Sequence, residues 1–85
     1  MNFFLKKIKN KKSNVLIIGL GYVGWPLFNT IYKKGFNVTG LDINEELIKS
    51  YKNKNKNFKL YHNYQDINFD KIDIIIIALP TPLKN

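Results

Sequence analysis

Three glycines carry the clearest chemical signal in this 85-residue chain: Gly19, Gly21 and Gly24, which form a G-x-G-x-x-G pattern. The pattern directly follows a predicted strand and opens a predicted helix, which is the context in which such a turn cradles a pyrophosphate. Gly19 would permit the tight turn, Gly21 would let the backbone approach the phosphates, and Gly24 would let the helix pack close to the strand. The free N–H groups and positive end of the helix would then face the phosphates. The alternative is a glycine turn that packs a strand against a helix and binds nothing.

Asp42 adds a second chemical feature to this turn. It lies eighteen positions after Gly24, at the carboxyl end of the second predicted strand. An acid at that place accepts hydrogen bonds from the adenosine ribose of a dinucleotide, and it would repel a 2′-phosphate. The combination therefore predicts NAD, rather than NADP, as the cofactor. A turn or helix-capping role for Asp42 is the alternative, and the two roles do not exclude each other.

The elements that must position these residues alternate between strand and helix. Residues 14–18 form an apolar run rich in β-branched residues, which predicts a buried parallel strand. Residues 23–34 place apolar side chains at three- and four-residue spacing, which predicts an amphipathic helix. Pro26 falls in its first turn, where no intrahelical partner for an N–H is lost, and Gly35 would end it.

The second half of the chain continues the alternation. A strand is predicted over 36–41, a helix capped by Asn44 over 45–51, and a solvated loop over the lysine- and asparagine-rich stretch 52–57. The remaining predictions are a strand over 58–61, a loose turn over 66–69 and a strand over 72–79, stopped by Pro80 and Pro82.

With right-handed crossovers, this order predicts an α/β fold: an incomplete Rossmann-type parallel sheet of about four strands, order 3-2-1-4, with flanking helices. The predicted organisation is a basic N-terminal extension, 1–13, followed by the N-terminal portion of a dinucleotide-binding domain, 14–85. A complete domain of this type would add a further helix and strands.

The composition of the chain argues against several other classes of function. The formal net charge is +8, yet all fourteen basic residues are lysine, and the lack of arginine argues against nucleic-acid recognition. There is no cysteine, and the single histidine, His62, cannot form a zinc site alone, so no metal site and no catalytic residue are predicted. The longest apolar run, 74–79, is too short to span a membrane, and the N-terminus lacks the order of a secretory signal. We therefore expect a cytoplasmic protein without a stable membrane anchor.

The segment from Gly19 to Leu27, Gly-Leu-Gly-Tyr-Val-Gly-Trp-Pro-Leu, resembles the start of the UDP-glucose/GDP-mannose dehydrogenase family. Gly40-Leu41-Asp42-Ile43-Asn44 and Pro80-Thr81-Pro82-Leu83 agree with it. The second of these most resembles the branch that acts on UDP-N-acetylhexosamines and their uronic acids. The likeness covers residues 15–83 and implies NAD as cofactor, a nucleotide sugar as substrate and a homodimer for the full-length protein.

The resemblance also implies roles for single residues. Tyr22 and Val23 would line the pyrophosphate turn, and Asp42 would hold the adenosine ribose. Thr81 would lie beside the nicotinamide-side ribose, at the edge of the sheet where ligands of such folds bind; a stiff strand exit is the simpler interpretation of residues 80–82. Trp25 stands where the family usually has leucine, and we expect it to pack rather than to stack on the cofactor.

Enzymes of this family oxidise the sugar C6 hydroxyl to a carboxylate through a thioester on a cysteine of a later domain, for surface-polysaccharide precursors. Because the 85 residues contain no cysteine, we expect this chain alone not to catalyse that reaction. The stretch between Asp42 and Pro80 is shorter than is typical of the family, around residues 52–57. That shortening matches the β-hydroxyacid dehydrogenases better, so they are one alternative, and a non-catalytic nucleotide-binding module is the other.

Overall fold

The computed structural model describes residues 13–80, so Thr81, Pro82, Leu83 and the extension before Ser13 lie outside the described residues. The two helices are α1 (Gly24–Lys33) and α2 (Glu45–Lys54). The strands are β1 (Asn14–Ile18), β2 (Asn37–Leu41), β3 (Lys59–Tyr61) and β4 (Ile74–Ile77). Two short 3-10 helices, Tyr64–Asp66 and Phe69–Lys71, lie between β3 and β4.

The four strands form one parallel sheet in the order β3-β2-β1-β4. The inner strand β1 pairs with β2 on one side and with β4 on the other, and Ile18 lies in register with both Leu41 and Ile77. The carboxyl ends of these three strands therefore reach the same edge of the sheet together. The α/β Rossmann-type fold and its strand order, predicted from the sequence, are confirmed.

The core lies between the helices and one face of the sheet. Val15 and Ile17 of β1 and Phe28 of α1 are completely buried, and Ile48 of α2 is nearly so. Leu16 is also fully buried, although alternation along a strand directs it to the opposite face. The apolar run of β1 is thus explained by burial on both faces, as is usual for a central parallel strand.

The edge strand β4 is buried less evenly than β1. Ile74 and Ile76 pack against the core, whereas Ile75 and Ile77 are 50% and 67% exposed. The predicted strand over 72–79 is correct in place but too long, since regular strand geometry covers only Ile74–Ile77. Pairing continues one residue further through a 2.7 Å hydrogen bond from the Ala78 N–H to the Ile18 carbonyl.

Local signals explain the helix boundaries. Gly35, with φ +89°, follows α1, and the N–H groups of Gly35 and Phe36 bond back to the carbonyls of Tyr32 and Ile31. The Asn44 side chain accepts a 3.1 Å hydrogen bond from the Leu47 N–H at the start of α2. The predicted stop by Gly35 and the predicted cap by Asn44 are confirmed.

The loop predicted from residue 52 is wrong for residues 52–54, because α2 continues to Lys54. Lysine is a good helix former, and Lys52 and Lys54 lie in the last turn, where the helix dipole favours positive charge. Their ammonium groups also lie 5.8 Å from the ring centres of Tyr61 and Tyr51, within reach of a cation–π contact. The single loose turn predicted over 66–69 is likewise replaced by the two 3-10 helices.

Substitution of Gly24 by alanine tests the close packing on which the fold depends. A Cβ at Gly24 would lie 1.6 Å from the Gly19 carbonyl oxygen, so the start of α1 would have to move away from the turn. We expect the free energy of unfolding to fall by about 1–3 kcal/mol or more, as in other overpacked cores, when measured by urea denaturation. Gly21→Ala is the matched control, because a Cβ there meets no atom within 4 Å. Equal stability of the two variants would contradict this packing role.

Candidate functional site

The glycine turn begins where β1 ends. Gly19 has φ +95°, and its N–H donates a 2.8 Å hydrogen bond to the Leu41 carbonyl of β2. A Cβ at this position would lie 2.8 Å from the Ala78 carbonyl oxygen beyond β4. Both the backbone conformation and the neighbouring strand thus require glycine, and the predicted role of Gly19 in the tight turn is confirmed.

Gly21 differs from the other two glycines of the pattern. Gly24 is held by its contact with the Gly19 carbonyl, which confirms its predicted packing role. At Gly21, by contrast, a Cβ would meet no atom within 4 Å, and no left-handed φ requires glycine there. Packing among the described residues therefore does not explain this glycine, whereas close approach of a ligand to the backbone would.

The beginning of α1 presents unpaired N–H groups beside Gly21. The N–H groups of Tyr22, Val23 and Gly24 have no hydrogen-bond acceptor among residues 13–80. The side chain of Tyr22 is fully exposed, and that of Val23 is 68% exposed. These donors at the positive end of a ten-residue helix form an anion-binding arrangement that suits a pyrophosphate.

The two helices differ in how their N-termini are neutralised. The first turn of α2 carries Glu45 and Glu46, and the Asn44 side chain caps it. The first turn of α1 has no acidic residue, and its N-cap residue, Val23, makes no side-chain hydrogen bond. The described residues therefore do not neutralise the positive end of α1, while Asn44, Glu45 and Glu46 satisfy that of α2.

Asp42 follows β2 and contacts the glycine turn directly. Its Oδ2 accepts a 2.9 Å hydrogen bond from the Leu20 N–H, and its Oδ1 accepts a 3.0 Å bond from the Asn44 N–H. The turn role considered for Asp42 is thus present. An ionised carboxylate offers about four acceptor positions, so capacity for ribose hydroxyls is left. Ile43, which sequence reasoning did not single out, is 90% exposed next to it.

The carboxyl edge of the sheet completes the surroundings of the turn. Gly21, Tyr22 and Val23 line a cleft of about 650 Å³ together with residues 77–80, where β4 ends. Ligands of open α/β sheets bind at this edge. Thr81 follows Pro80 immediately but lies outside the described residues, so its predicted place beside the cofactor stays a prediction.

Trp25 packs, as expected, but with a partner that the sequence did not indicate. Its ring stacks on that of Tyr51 in α2, with centroids 3.6 Å apart and planes within 1° of parallel. The Tyr51 hydroxyl donates a 2.8 Å hydrogen bond to the Leu20 carbonyl inside the glycine turn. The pKa of Tyr51 is raised above its ordinary value, first by burial and then by the negative charge of Asp42. Tyr51 lies four positions after Leu47 and three after Ile48, and this helical spacing could have placed it on the core side of α2, but could not have shown its contact with Leu20.

Residues 13–80 contain no group of three or more histidine, cysteine, aspartate or glutamate side chains that could hold a metal ion. No helix in that part of the chain is long and apolar enough to cross a membrane.

The family model for the UDP-glucose/GDP-mannose dehydrogenase family, NAD binding domain, matches residues 13–63 of the chain. The matched range contains the whole glycine turn and Asp42. No solved structure matches the chain significantly.

The similar curated proteins include a nucleotide-sugar dehydrogenase and a ligase. Protein CapL of Staphylococcus aureus is 41% identical over 83 residues, covering 82% of this chain and 19% of CapL. A UDP-N-acetyl-D-mannosamine dehydrogenase of Methanococcus vannielii is 32% identical over 92 residues, covering 91% of this chain and 21% of the relative. A UDP-N-acetylmuramoylalanine–D-glutamate ligase of Clostridium acetobutylicum is 35% identical over 69 residues, covering 74% of this chain and 14% of the ligase. The chain thus spans about a fifth of the length of CapL and of the Methanococcus vannielii dehydrogenase.

Alkaline titration tests the environment of Tyr51. Its raised pKa means that the folded state holds the phenolic proton more tightly than the unfolded state does. The stability that this proton contributes is complete below about pH 10, the ordinary value for tyrosine, and is lost as the pH rises through the folded pKa. We expect the tyrosinate absorbance of the wild type minus that of Tyr51→Phe to have its midpoint above about pH 10. A midpoint at or below that value would contradict the burial and charge described for this group.

Proposed function

The chain belongs to the UDP-glucose/GDP-mannose dehydrogenase family, and from this premise we propose that it is the cofactor-binding part of an enzyme that oxidises the C6 alcohol of a UDP-sugar to the carboxylate. The observation that carries the proposal is Gly21, whose lack of a side chain serves no packing purpose in the described residues and leaves the backbone open beside three free N–H groups. The matched domain is the NAD-binding domain of the family, and this turn is the part of it that suits a pyrophosphate.

The proposed contacts follow from the positions of the donors and acceptors. The N–H groups of Tyr22, Val23 and Gly24 would donate to the pyrophosphate, and Asp42 would accept from the adenosine ribose hydroxyls. Thr81 would contact the nicotinamide-side ribose. NAD, when bound, supplies the hydride acceptor. The chain itself supplies binding and orientation, because it holds the donors at the helix end and the carboxylate at the sheet edge in one fixed arrangement.

The substrate proposed is a UDP-N-acetylhexosamine, and the product the corresponding uronate, used for surface-polysaccharide precursors. Two observations support it: the likeness of Pro80-Thr81-Pro82-Leu83 to that branch, and the relative named UDP-N-acetyl-D-mannosamine dehydrogenase. No cysteine is present among the 85 residues, so we propose that they bind the cofactor without oxidising the sugar by themselves. A homodimeric full-length protein in the cytoplasm is part of the same proposal.

A second candidate is a turn that binds the diphosphate of a UDP group instead of NAD. The observation that favours it is the 35% identity to a ligase named for a UDP-linked substrate. The β-hydroxyacid dehydrogenases, considered for the shortened stretch 52–57, have no comparable support, since the family match falls on the nucleotide-sugar enzymes.

Calorimetric titration with NAD, using the wild type and Gly21→Val, tests the pyrophosphate assignment. A valine side chain would occupy the open space beside the turn, so we expect NAD affinity to fall by on the order of tenfold or more. The fold should be retained, because no atom of the described residues lies within 4 Å of the new Cβ. Equal, measurable affinity in both proteins would overturn the assignment. A wild type that binds UDP but not NAD would favour the second candidate.

Asp42→Ala separates ribose recognition from the turn role of the same side chain. Loss of charged hydrogen bonds should weaken NAD binding by about 1–3 kcal/mol, while removal of the carboxylate should relieve the repulsion of a 2′-phosphate. We therefore expect the preference for NAD over NADP to narrow, measured as the ratio of the two affinities. The loss of the Leu20 and Asn44 contacts alone would weaken both cofactors equally, so an unchanged ratio would contradict ribose recognition by Asp42.

A further inference from the structure

Tyr51 connects the second helix to the glycine turn across a long stretch of sequence. It lies near the end of α2, and its hydroxyl donates a 2.8 Å hydrogen bond to the Leu20 carbonyl, 31 positions earlier in the chain. Leu20 is the residue between the first two glycines of the pattern, and its side chain is completely buried. The contact therefore joins α2 to a part of the turn whose side chain is anchored in the core.

The aromatic ring of Tyr51 is held in place by Trp25. The two rings are stacked with centroids 3.6 Å apart. Trp25 also stacks on Phe28, with a centroid distance of 5.3 Å, and makes an edge-to-face contact with Phe58 at 5.4 Å between centroids. The backbone N–H of Trp25 donates a 3.0 Å bond to the Gly21 carbonyl. Trp25 thus holds the Tyr51 ring through its side chain, and closes the first helical turn after Gly21 through its backbone N–H.

Both the N–H and the carbonyl of Leu20 are hydrogen-bonded to side chains. Its N–H donates to Asp42 Oδ2 at 2.9 Å, and its carbonyl accepts from Tyr51. In a trans peptide the carbonyl and the following N–H point in opposite directions. A Leu20 carbonyl held toward α2 therefore turns the Gly21 N–H away from α2, and that N–H has no acceptor among the described residues.

We propose that Tyr51 is a positioning residue for the phosphate turn: through the Leu20 carbonyl it fixes the peptide plane from which the row of free N–H groups, residues 21–24, begins. The inference rests on the proposed function, because it concerns the same turn and the same pyrophosphate ligand. Phenylalanine or leucine could fill the space against Trp25 but could not hold the carbonyl. The hydroxyl stays a donor at neutral pH, since burial and Asp42 disfavour its ionisation.

Tyr51→Phe tests the inference, because it removes the hydroxyl and keeps the stacked ring. We expect affinity for NAD and for ADP to fall by about three- to tenfold, the size of one lost hydrogen bond, while affinity for adenosine, which has no phosphate, changes less than about twofold. Tyr32→Phe is the matched control. Tyr32 belongs to the same aromatic cluster, with its ring centroid 6.1 Å from that of Phe28, but its hydroxyl is not hydrogen-bonded to the turn. It should leave all three affinities unchanged.

A readout that does not depend on any ligand accompanies these titrations. The carbonyl ¹³C shift of Leu20 in the free 85-residue protein should move upfield in Tyr51→Phe and stay in place in Tyr32→Phe, because only the first loses the bond to that carbonyl. Unchanged NAD affinity in Tyr51→Phe, an unchanged Leu20 shift, or a loss that falls equally on adenosine would overturn the inference. A wild type that does not bind NAD would instead overturn the proposed function, and the carbonyl shift would still decide whether Tyr51 holds the turn.

Discussion

The contact between the Cα of Gly24 and the carbonyl of Gly19 is the constraint on which the rest of the site depends. A methyl group at Gly24 would lie 1.6 Å from that oxygen, so α1 begins closer to the end of β1 than any side chain at this position would allow. This closeness brings the first N–H groups of α1 to the carboxyl edge of the sheet. Because β1 lies between β2 and β4, the same edge also carries the ends of those two strands, and with them Asp42 and Pro80.

Electrostatics at this edge are local, and the net charge of +8 does not set them. The lysines of the described residues are exposed, whereas the attraction for phosphate comes from unpaired N–H groups at the start of α1. The single acid near the turn, Asp42, already accepts two backbone N–H groups. It therefore orders the turn by the same hydrogen bonds that place it for a ribose.

Much of this arrangement could be predicted from the sequence because it follows from local rules. The run of β-branched residues in β1, the helical spacing after Gly24 and the stop at Gly35 each depend on neighbours only a few positions away. The strand order then follows from the handedness of crossovers. The extension of α2 through Lys54 was missed because a lysine- and asparagine-rich composition is typical of loops, while the helix dipole and ring contacts act only once the helix exists.

The bond from Tyr51 to Leu20 could not be predicted, because residues 31 positions apart meet only after α2 has packed beside α1. Titration of the ¹⁵N-labelled 85-residue protein with NAD, followed through the backbone amide signals, tests the phosphate turn most directly. We expect the largest changes at the amides of Tyr22, Val23 and Gly24. A second cavity, at the opposite edge of the sheet, is lined in part by Asn37, Lys59 and Lys71. If NAD leaves the three amide signals of the turn unchanged and shifts those of this cavity instead, the pyrophosphate does not bind at the turn.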